Sequence, residues 1–146
     1  MTEIGFYHLT RSTAEAALAP LLGRTLAAGE RAVVLCRTQP VLAALDDALW
    51  AADWLPHGTA RDGDADLQPI WLTTADEAPN GARFLFLVEG AEAARLGDFA
   101  RVFDLFDGND QDAVAAARRR WRAAKDAGHT LTYWQQGERN WERKDA

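Results

Sequence analysis

The chain has 146 residues, is 48% hydrophobic, carries a formal net charge of −6 and contains one cysteine. That composition supports one domain with a packed core and excludes a disordered chain, a disulfide scaffold and a multi-cysteine metal site. The charge is uneven: residues 1–114 carry 8 basic and 18 acidic groups, residues 115–146 carry 8 and 4, which points to a localised cationic face rather than a general affinity for polyanions.

In chain order, "IGFYHLT" (4–10) predicts a first strand. "STAEAALAPLLGRTLAAG" (12–29) predicts a helix, with Ser12 or Thr13 as cap, Gly29 as stop and Pro20 as a place where it splits or kinks. "RAVVLCR" (31–37) is a continuous apolar strand of the kind buried on both faces of a parallel sheet, with Cys36 as a small buried residue. A helix over 38–52 follows, with Thr38 as N-cap and Pro40 in its first turn; 53–68 is a loop rich in Gly, Asp and Pro. Strands are expected at 69–74, 83–90 and 101–108, with a turn-rich connection at 75–82 and a short helix over 91–100. A basic helix runs from about Asp110 to Ala127 and stops at Gly128; "HTLTYWQQ" (129–136) is a last extended piece. The alternation predicts a three-layer α/β/α sandwich with a mainly parallel sheet of about five strands, formed by residues 1–137, with 138–146 as a charged tail. "MTEIGFYHLT" lacks a basic region followed by an apolar core, and no apolar run approaches the ~20 residues that span a bilayer, so a cytoplasmic protein without membrane contact is expected.

Catalytic constellations are sought and not found. The first strand runs out through "HLTRSTAEAA" without a glycine, whereas dinucleotide and phosphate loops need glycines there for close backbone approach. His8, His57 and His129 show no metal-ligand spacing. "DGDAD" (62–66) lacks the continuation of a calcium loop and reads as a solvated acidic turn. "NDQD" (109–112) supplies caps and acids to the N-terminus of the basic helix. No nucleophile–base motif is visible, and no catalytic residue, metal or cofactor is expected.

On a helical wheel, Val114, Ala117, Trp121, Ala124 and Gly128 fall on one stripe that should pack on the sheet. Arg118, Arg122 and Lys125 form an adjoining stripe, Trp121 sits on the seam, and Arg119 and Arg120 point elsewhere. The helix therefore offers cations beside an apolar ledge. Such a face is either simply solvated, or receives a carboxylate or acidic peptide, or stacks single-stranded nucleic acid on its one tryptophan.

An ordered set of segments, "FYHLT", "ALDDALWAADWLPHG", "PIWLTT", "PNGA" and "RRRWRAAKDAGHTLTYWQQ…WERK", resembles the chi subunit family of bacterial DNA polymerase III. The resemblance implies a Rossmann-like subunit that is not catalytic on its own within the polymerase holoenzyme. It implies a link between the clamp-loader complex, through the psi subunit, and the acidic C-terminal tail of single-stranded-DNA-binding protein (SSB), with DNA met mainly through SSB. By position, Arg118, Trp121 and Arg122 fall on the family's tail-binding helix, and Phe106 matches an apolar pocket wall; Lys125 is added from the wheel alone. The stretch "LWAADWLPH" carries Trp50 and Trp54 four residues apart, beside Leu55, Pro56 and His57. It resembles the family's contact with psi, or with a helicase that competes for it, and reads as an exposed aromatic anchor. Set beside the family it resembles, the loop between Trp50 and Leu55 reads as shorter, so the detailed contacts are expected to differ. The alternatives from other classes are a small α/β enzyme of unknown substrate and a direct single-stranded DNA binder.

Overall fold

Strand and helix segments alternate along the chain because short continuous apolar runs are punctuated by amphipathic helices. The computed structural model describes residues 2–51, 55–138 and 141–144. They form β1 (Glu3–Leu9), α1 (Ala14–Ala27), β2 (Ala32–Cys36), α2 (Gln39–Ala51), β3 (Ile70–Thr73), β4 (Phe84–Val88), β5 (Arg101–Asp107), α3 (Gln111–Asp126), β6 (Thr130–Gln136) and β7 (Trp141–Arg143). The strand order is β3-β2-β4-β5-β1-β6-β7. All neighbours are parallel except β6 and β7.

Alternate side chains of each strand enter different layers. On one face Tyr7, Leu9, Val34, Phe86, Phe103 and Leu105 meet Leu18 and Leu22 of α1 and Leu45 and Leu49 of α2. On the other, Ile4, Phe6, Val33, Leu87, Val102 and Phe106 meet Ala117 and Ala124 of α3. The result is the α/β/α sandwich the alternation predicts. Full burial of one such Leu, Val or Phe contributes about 1.5–3 kcal/mol.

Among the described residues the sheet has seven strands rather than about five. Part of the stretch expected to be a charged tail is β7, where Gln136 pairs with Trp141 and Trp134 with Arg143. The reason is Trp141, whose ring meets Tyr7 edge-on with centroids 5.0 Å apart and ties the polar strand to the core.

The helix expected over 91–100 is only a 3-10 turn at Leu96–Asp98. Gly97 lies within it, and the Ala94 N–H donates to the Asp76 carboxylate at 2.8 Å instead of to a helical carbonyl. α1 starts where Thr13 accepts from the Ala16 N–H and continues unbroken through Pro20. Ala16 and Pro20 both lie on the exposed face, so the carbonyl that loses its donor meets water. Asn80 of the "PNGA" segment is buried and donates to the carbonyls of Ala32 (3.1 Å) and Gln68 (2.9 Å), pinning the β3–β4 connection to the start of β2. Cys36 is buried as expected, and burial beside Glu89 pushes its thiol up to about 12, so it is not an activated nucleophile. No described helix is long and apolar enough to cross a membrane.

Candidate functional site

α3 begins at Asp110, whose carboxylate accepts from the N–H groups of Asp112 (2.9 Å) and Ala113 (3.3 Å), and ends before Gly128 at φ +86°. Ala117 and Ala124 are buried against the sheet; Val114 and Trp121 are half-buried. The small alanines let the helix approach closely, and Trp121 covers the gap beside them. Its ring stands edge-on to Phe6 (5.2 Å) and Tyr133 (5.9 Å). Beside Trp121 and Tyr133 lies a pocket of about 320 Å³ lined by Phe106, Val114, Ala117, Arg118, Trp121, Tyr133 and Lys144. Its lining is apolar and aromatic, with two cations at the rim and no acid. That is the composition of a site for an apolar group attached to an anion.

The structure thus brings together Phe106, Arg118 and Trp121 of the residues named from sequence. Arg122 and Lys125 are exposed elsewhere on α3 and do not line the pocket. Sequence reasoning missed Tyr133 and Lys144. The signal for Tyr133 was present: in "TLTYWQQ" alternate residues change faces, so Leu131 and Tyr133 join the α3 layer while Trp134 joins the other.

Tyr133 is held from behind. Its hydroxyl shares a 2.6 Å hydrogen bond with His8 Nδ1, and the His8 ring rests on Phe106 with centroids 5.2 Å apart. Burial pushes the Tyr133 phenol above its ordinary value, with the Arg118 charge opposing, so the wall is neutral at physiological pH. Gly108, after β5, leaves room for this arrangement: a Cβ there would collide with the His8 ring and lie 2.7 Å from the Leu9 carbonyl oxygen. Gly108→Ala is therefore expected to destabilise the fold by about 1–3 kcal/mol, the range for overpacking. Urea unfolding followed by tryptophan fluorescence measures this. An unchanged midpoint would mean that His8 moves aside at no cost.

Only part of the arginine cluster faces the pocket. Arg120 turns to the opposite flank of α3, where Nε donates to Asp104 Oδ2 at 2.6 Å and Nη2 to Oδ1 at 3.0 Å. Asp104 lies between Val102 and Phe106 on the α3 face of β5 and is 2% exposed. Arg119 and Arg120 line a separate groove of about 480 Å³ on that flank, together with Ile4, Phe6 and Ala123.

The second surface differs from expectation. Trp50 is exposed, at 50% of its free surface, and Pro56 is exposed beside it. Leu55 and His57 are buried and are thereby withdrawn from direct contact with a partner. Leu55 belongs to the α1/α2 core; His57 is clamped by Asp46 Oδ1 (2.7 Å) at Nε2 and by the Leu55 carbonyl (2.7 Å) at Nδ1. Trp50 caps this histidine, ring centroids 4.2 Å apart. Trp54 lies outside the described residues.

A cavity of about 740 Å³ forms the crevice at the carboxyl ends of the strands, where ligands of open α/β folds bind. Its lining includes Arg11, Glu15, Glu89, Asp107 and Asp110 but no histidine, cysteine or lysine. The amides after β1, which would cradle a phosphate, are already taken: the N–H groups of Thr10, Arg11 and Ser12 donate to Gln136 Oε1 at 3.1, 2.9 and 3.2 Å. Among the described residues no group of three or more His, Cys, Asp or Glu could hold a metal ion. In the acidic loop, Asp62 accepts from Thr59 within its own turn.

A family model described as DNA polymerase III chi subunit, HolC, matches residues 1–132. No curated protein matches the chain. The crystal structure of T4 UvsW is similar with a TM-score of 0.58 at 12% identity, a likeness of fold alone; it covers 92% of this chain but 41% of that one, so this chain spans less than half of that protein's length.

Proposed function

The chain belongs to the DNA polymerase III chi subunit family, and from that membership and the pocket on α3 we propose a non-catalytic adaptor of the replication machinery with two binding faces. The α3 pocket receives the acidic C-terminal tail of SSB: the terminal aromatic side chain enters between Phe106, Trp121 and Tyr133, and its carboxylate meets Arg118. The observation that carries this reading is the pocket itself, an aromatic recess with cations and no acid in its lining. Arg122 and Lys125, exposed further along α3, attract the acidic residues upstream of the tail's end. The face around Trp50 and Pro56 receives the clamp-loader-side partner, psi or a helicase that competes with it. DNA is reached through SSB, and no metal or cofactor takes part. The occupied amides after β1 and the buried thiol support a subunit without chemistry of its own. A cytoplasmic location follows from this role.

Calorimetry with an acidic peptide ending in Pro-Phe tests the tail site. Arg118→Ala should weaken it about tenfold or more, because a charge-assisted hydrogen bond contributes roughly 1.5–3 kcal/mol. Arg119→Ala, on the other flank, should have little effect. Raising salt should weaken binding without abolishing it, since screening over ~8 Å leaves the aromatic contact intact. Equal losses for Arg118→Ala and Arg119→Ala would remove the pocket from the reading. Tighter binding of an oligothymidylate than of the peptide would favour direct single-strand recognition.

A further inference from the structure

The family match ends at residue 132, but the pocket does not. Tyr133 and Lys144, which close one side of it, both belong to the C-terminal β6–β7 hairpin. Their placement follows from strand register. Trp134 pairs with Arg143, so Tyr133 and Lys144 are cross-strand neighbours on the same face, and the Lys144 N–H donates to the Tyr133 carbonyl at 2.7 Å. Period-two alternation then puts Trp141 on the opposite face, where it packs against Tyr7. One strand of three residues thus has an aromatic anchor in the core on one side and precedes a cation at the pocket rim on the other. Glu142 is not part of the lining, but its carboxylate lies 3.3 Å from Lys144 Nζ, and both side chains are at least half exposed.

We propose that this hairpin is a specificity element of the α3 pocket, with Lys144 the second cation for the terminal carboxylate of an acidic peptide, facing Arg118 across the recess. This rests on the reading of the pocket as a tail site and adds to it a selector for a free chain end. Arg118 on α3 and Lys144, just after β7, line the same recess from two different elements. Neither cation alone distinguishes a terminal carboxylate from the side-chain carboxylates upstream; two cations converging over an aromatic recess do, because only a chain end presents ring and carboxylate on one residue. In the free protein Glu142 occupies Lys144, and the ligand's carboxylate displaces it.

The test uses the full chain and two probes, an acidic peptide ending in Pro-Phe with a free carboxylate and the same peptide amidated. Lys144→Gln should weaken the free-acid peptide about three- to tenfold, below the effect of a buried charge pair because the lysine is exposed to solvent. Lys144→Arg should restore binding. The amidated peptide should bind wild type and Lys144→Gln equally. Glu142→Gln, which frees the lysine, should tighten the free-acid peptide. Equal affinity of wild type and Lys144→Gln for the free acid overturns the role of the hairpin while leaving the tail site standing. Equal losses for acid and amide place Lys144 away from the carboxylate and overturn the selector. If wild type binds neither peptide, the tail site itself falls.

Discussion

Arg120→Met is expected to lower the stability of the fold by about 3–5 kcal/mol, the cost of leaving a buried charge without its partner. Asp104 is 2% exposed, and its carboxylate accepts from the Arg120 guanidinium at 2.6 and 3.0 Å. Burial already pushes the Asp104 carboxyl above its ordinary value, and the Arg120 hydrogen bonds and charge oppose that rise. Methionine keeps the length and apolar stem of the arginine but removes the opposition, so the carboxyl rises further. The sign of the pH dependence follows. A carboxyl whose folded value exceeds its unfolded one imposes no penalty below the unfolded value, and a penalty that grows as pH rises through the folded one. The variant should therefore lose more stability at pH 8 than at pH 5. The double replacement Asp104→Leu with Arg120→Met should recover most of the loss, since an apolar pair of similar volume does not have to be desolvated. Urea unfolding at both pH values measures all three proteins. A loss below ~1 kcal/mol for Arg120→Met would show that α3 is held by its alanines and Trp121 alone.

The pair also marks the limit of what the sequence discloses. The wheel of α3 separates Arg118 from Arg119 and Arg120 because neighbouring residues diverge by about 100°. It says nothing of Asp104, which becomes a partner only when β5 is laid under α3. In isolation "RVFDLFDG" shows an aspartate among apolar residues, and nothing local marks it as the one that faces a helix. The strands were legible for a simpler reason: "RAVVLCR" and "RFLFLVEG" are apolar on both faces, which only a sheet covered on two sides explains. β7 was not, because three residues with two charges carry no period; its place is decided by Trp141 finding Tyr7, a contact 134 positions apart in sequence. The same blindness hid Lys144 from the pocket, since it reaches the lining only through that strand. At the Trp50 surface the error ran the other way. A Pro-His turn after an aromatic helix end reads as exposed, but Asp46, one turn before Trp50 on α2, draws His57 inward and leaves Trp50 as its cover. A hydrogen bond between a helix and its following loop cannot be inferred from residue types alone.

Trp50→Ala is expected to weaken binding of the clamp-loader-side partner by about 2 kcal/mol or more, roughly thirtyfold, while leaving affinity for the acidic tail peptide within about twofold. Trp50 has what an interface anchor needs: a large ring, half of it in solvent, backed by a rigid support. The support is His57, fixed at both ring nitrogens by Asp46 and the Leu55 carbonyl, so the indole loses little freedom on binding. Removing it should not unfold the protein, since the core residues of α2 are Leu45 and Leu49, on another face of the helix. The tail peptide has no reason to respond. The surroundings of Trp50 include Asp46 and the exposed Asp47, which repel an acidic segment, whereas the α3 pocket has Arg118 and Lys144 at its rim. Arg118→Ala should give the reverse pattern, with the tail peptide weakened about tenfold and the other partner unaffected. Both ligands are titrated against both variants, with far-UV circular dichroism and the urea midpoint confirming that each variant is folded. A folded Trp50→Ala protein that loses the tail peptide as deeply as Arg118→Ala does would mean that the two faces form one coupled site. In that case binding at one would exclude or require the other, and a bridge between SSB and the clamp loader could not be built from independent faces.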